Sequence, residues 1–323
     1  MQLTTRPGGG RRAAVAAIPA TGQTPRMTDT TTGTNWGRWG ADDERGTLNL
    51  ITPEHVLAAL QVCTTGKVYS LSLPIKNKGV PLLEHRPAPQ RLSLTSASDP
   101  EPFTWMGGDP GLGANEDVLV IASHNTTHMD ALSHVYTEAG IYNGFARDEF
   151  STTRGAGHCD ILATGTFAGR GILLDLPGHQ GVDWREPGHA ITRAELEECA
   201  AAQGTDVRAG DILLVRTGWL DLFEQGTDDY RQPGLGVDSV SFIDDHDIAA
   251  VGVDNSAVEC IPFDGDEALV VHIALLVQRG VTLLEHIKLS ELAADGCHEF
   301  FLSVGALPVP GAAGSPINPV AIG

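Results

Sequence analysis

Residues 118–136 read V-L-V-I-A-S-H-N-T-T-H-M-D-A-L-S-H-V-Y. The first five residues are apolar and largely β-branched, which predicts a buried strand. Three histidines and one aspartate then follow within eleven residues: His124, His128, Asp130 and His134. Imidazole and carboxylate are the side chains that bind borderline divalent metals. The stretch therefore predicts a metal site next to a strand.

Neither a helix nor an extended chain would gather these side chains around one ion. On a helix, Asp130 would point about 240° around the axis from His124. In an extended chain, His124 and His128 would lie roughly 13 Å apart, whereas metal–ligand distances are about 2 Å. The pattern predicts that His124 ends the strand, that residues 125–127 form a tight loop, and that His128 and Asp130 fold back beside His124. The alternative is a histidine-rich surface loop, which the addition of Asp130 and His134 to the His-x-x-x-His pair disfavours.

The motif resembles the H-x-G-T-H-x-D-x-P-x-H signature of the cyclase-type metal-dependent hydrolases, a family that includes bacterial kynurenine formamidase and isatin hydrolase. Thr126 stands where the signature has glycine, and Leu132 where it has proline. Residues 130–135 and 142–145 are similar to the longer members of the family. The resemblance extends from about residue 35 to the C-terminus, and it implies a mixed-sheet domain of the swivelling β/β/α, kynurenine formamidase-like type.

The resemblance also adds residues from the second half of the chain. By themselves, His272 and Glu285 would more often be structural residues. The family carries a late histidine and, about a dozen residues on, a glutamate in an L-E context, which His272 and Leu284-Glu285 match. It implies that His272 joins His124, His128 and Asp130 as a metal ligand and that Glu285 is catalytic, around one or two Zn²⁺ or Mn²⁺ ions. With two ions, His272 and Glu285 could bind the second one, whereas with one ion they would protonate the leaving group.

Composition limits the class of protein. The chain has 323 residues, 41% of them hydrophobic, which is enough for a substantial core. Its net charge of −20 disfavours nucleic acid and anionic membranes as partners. Five scattered cysteines without a C-x-x-C pair argue against a disulfide scaffold and predict a cytoplasmic protein. Cys159 beside His158 is a weak candidate for a thiol nucleophile, because adjacency in sequence does not establish pairing in space.

The chain divides into a tail and one domain. Residues 1–34 are rich in Gly, Pro, Thr and Ala without apolar periodicity, which predicts a disordered tail. Arg11-Arg12 imitates a twin-arginine signal, but the apolar run behind it is short and ends at Pro19. Residues 35–323 form one predicted domain. No run approaches the roughly 18 apolar residues of a transmembrane span.

Apolar strand patterns alternate with single helices along this domain. Strands are predicted at residues 67–73, 169–176, 211–217, 249–254 and 281–284, and helices after Thr52, Thr192 and His272. This alternation predicts an α/β fold, a single domain with a mixed β-sheet core and flanking helices. Residues 74–115 form a long predicted loop, whose length favours a lid or pocket wall.

Three tryptophans are candidates for binding the substrate. Trp36 and Trp39 open the ordered chain and could simply anchor it to the core. The resemblance implies instead that N-terminal aromatic residues line the pocket, in some relatives across a subunit boundary. Trp105, in the long loop, either contacts the substrate or pins the loop to the body.

These features predict a metal-dependent hydrolase that opens a non-peptide amide, cyclic amide or lactone of a small molecule, with C–N bonds favoured. His134, with an ordinary pKa of about 6.5, would carry the proton. One alternative is a cyclase or dehydratase that uses the metal to stabilise an enolate, and another is a binding protein with a structural metal. The sequence contains no G-x-S-x-G elbow and no P-loop. A homodimer or homotetramer is expected, since the resemblance points to such assemblies.

Overall fold

Short strands and helices alternate along the chain in a computed structural model that describes residues 33–98, 113–227, 229–265 and 268–323. Among these residues the strands are β1 Val68–Ser70, β2 Gln90–Thr95, β3 Glu116–Val120, β4 His128–Asp130, β5 Thr166–Asp175, β6 Ala190–Ile191, β7 Ile212–Arg216, β8 Gly234–Leu235, β9 Ala250–Val253, β10 Thr282–Glu285, β11 Glu299–Gly305, β12 Gly314–Pro316 and β13 Val320–Ile322. The α-helices are α1 Pro53–Ala59, α2 Ile161–Thr164, α3 Leu176–Gln180, α4 Arg193–Gln203, α5 Trp219–Glu224, α6 Val240–Asp245, α7 Val270–His272 and α8 Ser290–Ala294. Short 3₁₀ helices cover Gly46–Leu50, Leu60–Val62, Tyr142–Gly144, Arg147–Glu149 and Val237–Ser239, and a π-helix covers Ile273–Arg279. All but the last two residues of the predicted tail, and Trp105, lie outside the described residues.

One large mixed sheet organises the domain. Its nine strands lie in the order β1-β13-β11-β5-β7-β9-β10-β4-β12. The central strands β5, β7, β9 and β10 are parallel, and the outer pairs are antiparallel. The predicted α/β fold with a mixed-sheet core and flanking helices is confirmed.

The central strands are covered on both faces. Along β5, Ile172 and Leu174 pack into one buried apolar cluster, while Leu173 between them packs into a second. Along β7, Leu213 and Leu214 divide between the two clusters in the same way. Successive side chains of a strand point to opposite faces, so a strand buried on both faces needs a continuous apolar run. These runs are what the sequence supplies at β5, β7 and β9.

The helix after Thr192 begins and ends as predicted. The Thr192 hydroxyl accepts a hydrogen bond from the Glu195 backbone N–H at 3.3 Å, and the Glu195 carboxylate accepts one from the Thr192 N–H at 2.9 Å. The helix ends at Gly204, whose φ of 69° lies in the left-handed region that glycine adopts without strain. A capping box and a glycine stop therefore fix α4 from local sequence alone.

The predicted strand over residues 118–122 is placed differently from what its composition indicated. It is β3, which pairs with β2 in a separate two-stranded hairpin. The prediction of burial was wrong: Val118, Leu119 and Val120 are all exposed, and Leu92 and Leu94 on the partner strand β2 are exposed as well. The long predicted loop was also wrong in part, because β2 lies within it. An apolar β-branched run predicts extended backbone, but it carries no information about which element covers it.

None of the helices in the described ranges has the length and apolar character that crossing a bilayer requires.

Candidate metal centre

Strand β4 itself carries two of the predicted ligands. His128 and Asp130 are two residues apart on this buried strand and therefore share a face of the sheet. Glu285, the last residue of β10, is the register partner of His128. Its Oε2 atom lies 3.1 Å from His128 Nε2. The ligand-bearing strand thus comes after His124 rather than before it, which corrects the predicted placement.

The tight loop over residues 125–127 places the His124 side chain beside Asp130. Thr126, at the position of the signature glycine, has a φ of 58°, so this loop uses the left-handed conformation even without glycine. The Asn125 backbone N–H donates to the Ala122 carbonyl at 3.0 Å and closes the turn. As a result, His124 Nε2 lies 3.5 Å from Asp130 Oδ1.

Asp130 is the centre of the cluster. Its Oδ1 lies 3.7 Å from His128 Nε2, and its Oδ2 lies 3.9 Å from His272 Nε2. His272 Nε2 is also 3.3 Å from Glu285 Oε1. Both carboxylate oxygens of Asp130 are buried without a hydrogen-bond donor among the described residues. A buried carboxylate in that state is costly unless a cation compensates it.

The donor set fits a divalent ion. Two groups of side chains each bring three ligand atoms within 4.8 Å of one another. One group is His124, Asp130 and His134, and the other is Asp130, His272 and Glu285. Asp130 belongs to both, so the cluster suits one ion or two ions that share a carboxylate. Imidazole and carboxylate ligands suit either Zn²⁺ or Mn²⁺.

His134 lies on the open side of this cluster. Its ring stacks on the His124 ring with centroids 4.0 Å apart. Burial lowers the pKa of His134 to about 3, and burial likewise lowers the pKa of His124 to about 3. Both imidazoles are therefore neutral near pH 7, which is the form that binds a metal or accepts a proton.

On the buried side of the cluster, His272 and Glu285 each lie next to groups of opposite charge. Burial lowers the pKa of His272, but hydrogen bonds to Glu259 and Glu285 outweigh the effect of burial and raise the pKa of His272 to about 10. Burial similarly opposes a charge on Glu285, yet the neighbouring His128 and His272 hold the pKa of its carboxyl well below the usual range. Glu285 is therefore an ionised carboxylate, as a metal ligand or a proton acceptor must be.

Two groups that the sequence patterns did not identify orient the imidazoles. His272 Nδ1 lies 2.5 Å from Glu259 Oε1, and the Glu259 carboxylate also accepts the backbone N–H of His272 at 3.2 Å. His128 Nδ1 lies 2.8 Å from the Thr126 carbonyl. With each Nδ1 engaged, both rings present Nε2 to the cluster. Glu259 follows β9 in no recognisable motif, so no signal in the sequence distinguishes it.

His286 ties the loop to β10. Its Nδ1 lies 2.9 Å from the same Thr126 carbonyl, and its Nε2 lies 2.8 Å from Ser256 Oγ. Its own carbonyl accepts from the Thr127 hydroxyl at 2.6 Å. Both Thr126 and His286 adopt positive φ, so two strained residues hold the segments that carry His128 and Glu285 against each other.

A cavity of about 580 Å³ opens beside His134. Residues that line it include Ser133, His134, Tyr136, Arg147, Phe150 and His158. Its volume lies within the range of small-molecule sites, about 300–1,000 Å³. The cavity gives a small molecule access to the open side of the cluster.

The N-terminal tryptophans lie elsewhere in the subunit. The Trp36 indole N–H donates to the Val277 carbonyl at 2.7 Å, and the ring packs against the apolar core. The Arg38 guanidinium carbon lies over the Trp39 ring, 4.7 Å from the ring centroid. Within the described residues, neither ring lines the cavity of its own subunit.

The Cys159 thiol is fully buried, and burial raises its pKa. The thiolate that nucleophilic chemistry needs is therefore disfavoured. The structure supports setting aside the Cys159 and His158 pair as a nucleophile and base.

The fold and the cluster define an α/β protein whose buried histidines and carboxylates fit a divalent ion. A family model described as putative cyclase matches residues 69–260, more than half of the chain. The chain belongs to this cyclase family, as the motif indicated.

Known proteins agree with that assignment. A solved structure described as a novel cyclase is 33% identical, with a TM-score of 0.84, over 91% of this chain and 99% of its own. Cyclase-like protein 2 of Arabidopsis thaliana is 26% identical over 269 residues, 81% of each chain. An isatin hydrolase bound to the product analogue thioisatinate shares the fold, with 16% identity and a TM-score of 0.56 over 84% of this chain and 98% of its own.

Proposed function

We propose that the protein is a metal-dependent hydrolase that opens a non-peptide amide, cyclic amide or lactone of a small molecule, with C–N bonds favoured. The observation that carries the proposal is the Asp130 carboxylate, buried without a donor among the described residues and surrounded by imidazoles, beside a cavity that His134 lines. Family membership and the similarity in fold to an isatin hydrolase support the same reaction class.

The proposed ligands are His124, His128, Asp130 and His272, with Glu285 at the same centre. Because the pKa of His272 is raised to about 10, its imidazole would release a proton when it binds the ion. A divalent ion held there supplies a Lewis acid for a carbonyl oxygen and a water of lowered pKa. Zn²⁺ and Mn²⁺ both suit the donor set. The Nδ1 hydrogen bonds of His128 and His272 keep their Nε2 atoms facing the centre.

His134 and Glu285 would handle the protons. His134 faces the cavity as a neutral imidazole. Because burial lowers its pKa to about 3, it is a weaker base than an ordinary histidine, and it would take a proton from a water acidified by a bound cation and return it to the leaving nitrogen or oxygen. Glu285 is held ionised by His128 and His272. It can therefore complete the ligand set or accept a proton from its neighbours.

Two other functions would use the same residues. A cyclase or dehydratase would use the cation to stabilise an enolate, and a binding protein would hold it in a closed shell. The open cavity beside His134 favours turnover over a purely structural metal. To separate the three, we would measure metal content and then assay N-formyl aromatics, isatin, lactones and dienelactones with and without chelator. Hydrolysis that stops with chelator and returns with metal supports the proposal, and a metal-loaded protein inert toward all these compounds contradicts it.

Glu259→Gln is expected to weaken metal binding about 10–100-fold, the usual cost of losing a carboxylate that orients a histidine ligand. The amide retains the shape of Glu259 but removes the charged acceptor that holds His272 Nδ1. Competition with a metal-sensitive dye measures the affinity. Glu291→Gln, at an exposed position of α8, is the matched control. Equal affinity in Glu259→Gln and wild-type protein would remove Glu259 from the support of the centre.

We also propose that the protein is a homodimer or homotetramer that binds a small-molecule substrate and not nucleic acid. The β2–β3 hairpin supports assembly, because its apolar side chains are exposed and an isolated two-stranded hairpin is marginally stable in water. Deleting residues 1–26 should change nothing, whereas deletion through Trp39 should impair both assembly and turnover.

Single substitutions test whether the tryptophans serve a shared pocket. Trp39→Ala should lower the oligomer fraction in light scattering and raise KM if Trp39 reaches a neighbouring subunit. Trp36→Ala should chiefly lower the melting temperature, because it removes an indole that bonds to Val277 in its own subunit. A fully active monomer at working concentration would refute the shared pocket.

A further inference from the structure

His158 lines the cavity that also contains His134, and its orientation is fixed on two sides. Its Nδ1 lies 2.8 Å from Glu44 Oε1. Its ring stacks on Phe145, with centroids 4.1 Å apart and planes 11° from parallel. Glu44 is anchored in turn, because its other oxygen accepts the Cys159 backbone N–H at 2.6 Å. Only Nε2 of His158 remains to meet another partner.

That partner in the structure is a carboxylate. Glu149 Oε2 lies 3.3 Å from His158 Nε2, and its side chain is half exposed, so water can replace it at little cost. Gly157 makes room for it, since a Cβ at this position would lie 3.0 Å from Glu149 Oε2. The cavity wall is thus shaped to seat a carboxylate on His158.

Arg147 supplies a second cation on the same wall. It is exposed, and its guanidinium lies 5.8 Å from the Tyr136 ring centroid. Within the described ranges it forms no ion pair. Asp148 and Glu149 both line the cavity, so an anion that binds here needs the charge of Arg147 in addition to that of His158.

We propose that His158 and Arg147 bind a carboxylate of the substrate, and that Glu149 occupies this position until the substrate displaces it. The inference rests on the proposed function and adds the substrate class: small amides or lactones that carry an anionic group away from the bond that is cleaved. His158 is then a specificity-determining residue, whereas His134 works at the reacting bond.

The protonation of His158 agrees with this role. The hydrogen bond to Glu44 raises the pKa of His158 above its ordinary value, burial opposes the rise, and the charges of Glu149 and Asp42 add to it. The imidazolium that attracts an anion is present below this raised pKa. Affinity for an anion should therefore fall as pH rises through it, and this loss should disappear in His158→Gln.

The direct test is calorimetric titration of the metal-loaded full chain with benzenesulfonate, an anion that is a weak metal ligand. His158→Gln should raise its Kd about tenfold, the loss of one charge-assisted hydrogen bond. Glu149→Gln should lower Kd severalfold, because it removes the competing carboxylate. His179→Gln, at an exposed position of α3, is the matched control and should bind like wild type.

The two variants are expected to change Kd in opposite directions, so Glu149→Gln tests the proposal even if His158→Gln does not fold. An unchanged or raised Kd in Glu149→Gln would overturn the proposal, and so would an unchanged Kd in a folded His158→Gln. Kinetics give a second readout with 4-formamidobenzoate and formanilide, which differ only by a carboxylate at the far end of the ring from the amide. His158→Gln should reduce the KM advantage of 4-formamidobenzoate about tenfold. Failure of the metal-loaded enzyme to hydrolyse any amide or lactone would refute the proposed function, whereas benzenesulfonate binding would still report on the anion site.

Discussion

Asp130→Asn is expected to release the divalent ion from the purified protein while the fold survives. Asp130 is the residue shared by both candidate ligand groups, so its loss disrupts either arrangement. The asparagine keeps the shape but lacks the negative charge that offsets the cation. We expect metal affinity to fall about 100-fold or more, beyond the ~10–100-fold cost of losing a supporting residue. Elemental analysis and circular dichroism measure the two outcomes.

The same variant separates metal binding from folding. A ligand that binds only the native state stabilises it by an amount that grows with its concentration. Chelator should therefore lower the melting temperature of the wild type and leave Asp130→Asn unchanged. Asp117→Asn, on the exposed hairpin, is the matched control. Full metal occupancy in Asp130→Asn would contradict the assignment of the centre.

The number of ions follows from two further variants. His124 and His272 belong to different candidate groups. If the protein holds two ions, His124→Ala and His272→Ala should each retain close to one ion per chain. If it holds one ion, both variants should lose it, as His128→Ala should.

His134→Asn is expected to lower kcat by about 10²–10⁴-fold, the usual contribution of general acid–base catalysis. Asparagine keeps a polar side chain at the cavity but cannot exchange a proton near neutral pH. Metal content and KM should stay close to wild type if His134 carries protons rather than binding metal. Steady-state kinetics with elemental analysis on the same preparation measures all three quantities, and His179→Asn is the matched control.

Two results would reassign His134. It lies within 4.8 Å of ligand atoms of His124 and Asp130, so loss of metal together with activity would make it a ligand. Unchanged kcat with full metal would make it a structural residue that only stacks on His124.

Much of the candidate metal centre was predictable because its residues are neighbours in sequence. The cluster from His124 to His134 lies within eleven residues, and ligand chemistry limits what such a cluster can be. His272 and Glu285 required the resemblance to a family, since neither residue is distinctive alone. Glu259 and His286 were not predicted, because their hydrogen bonds to His272 and to the Thr126 carbonyl depend on how distant segments pack.

The central strands, the capped helix α4 and the family could be read from local sequence patterns. Continuous apolar runs, a capping box and a ligand motif act through neighbouring residues, so each can be recognised in one segment. The packing of distant segments was needed to show that residues 118–120 lie on an exposed hairpin, that Trp36 packs against its own chain, and that His158 faces the cavity of His134. Burial and access depend on what the rest of the chain places against a segment, and local sequence does not encode that.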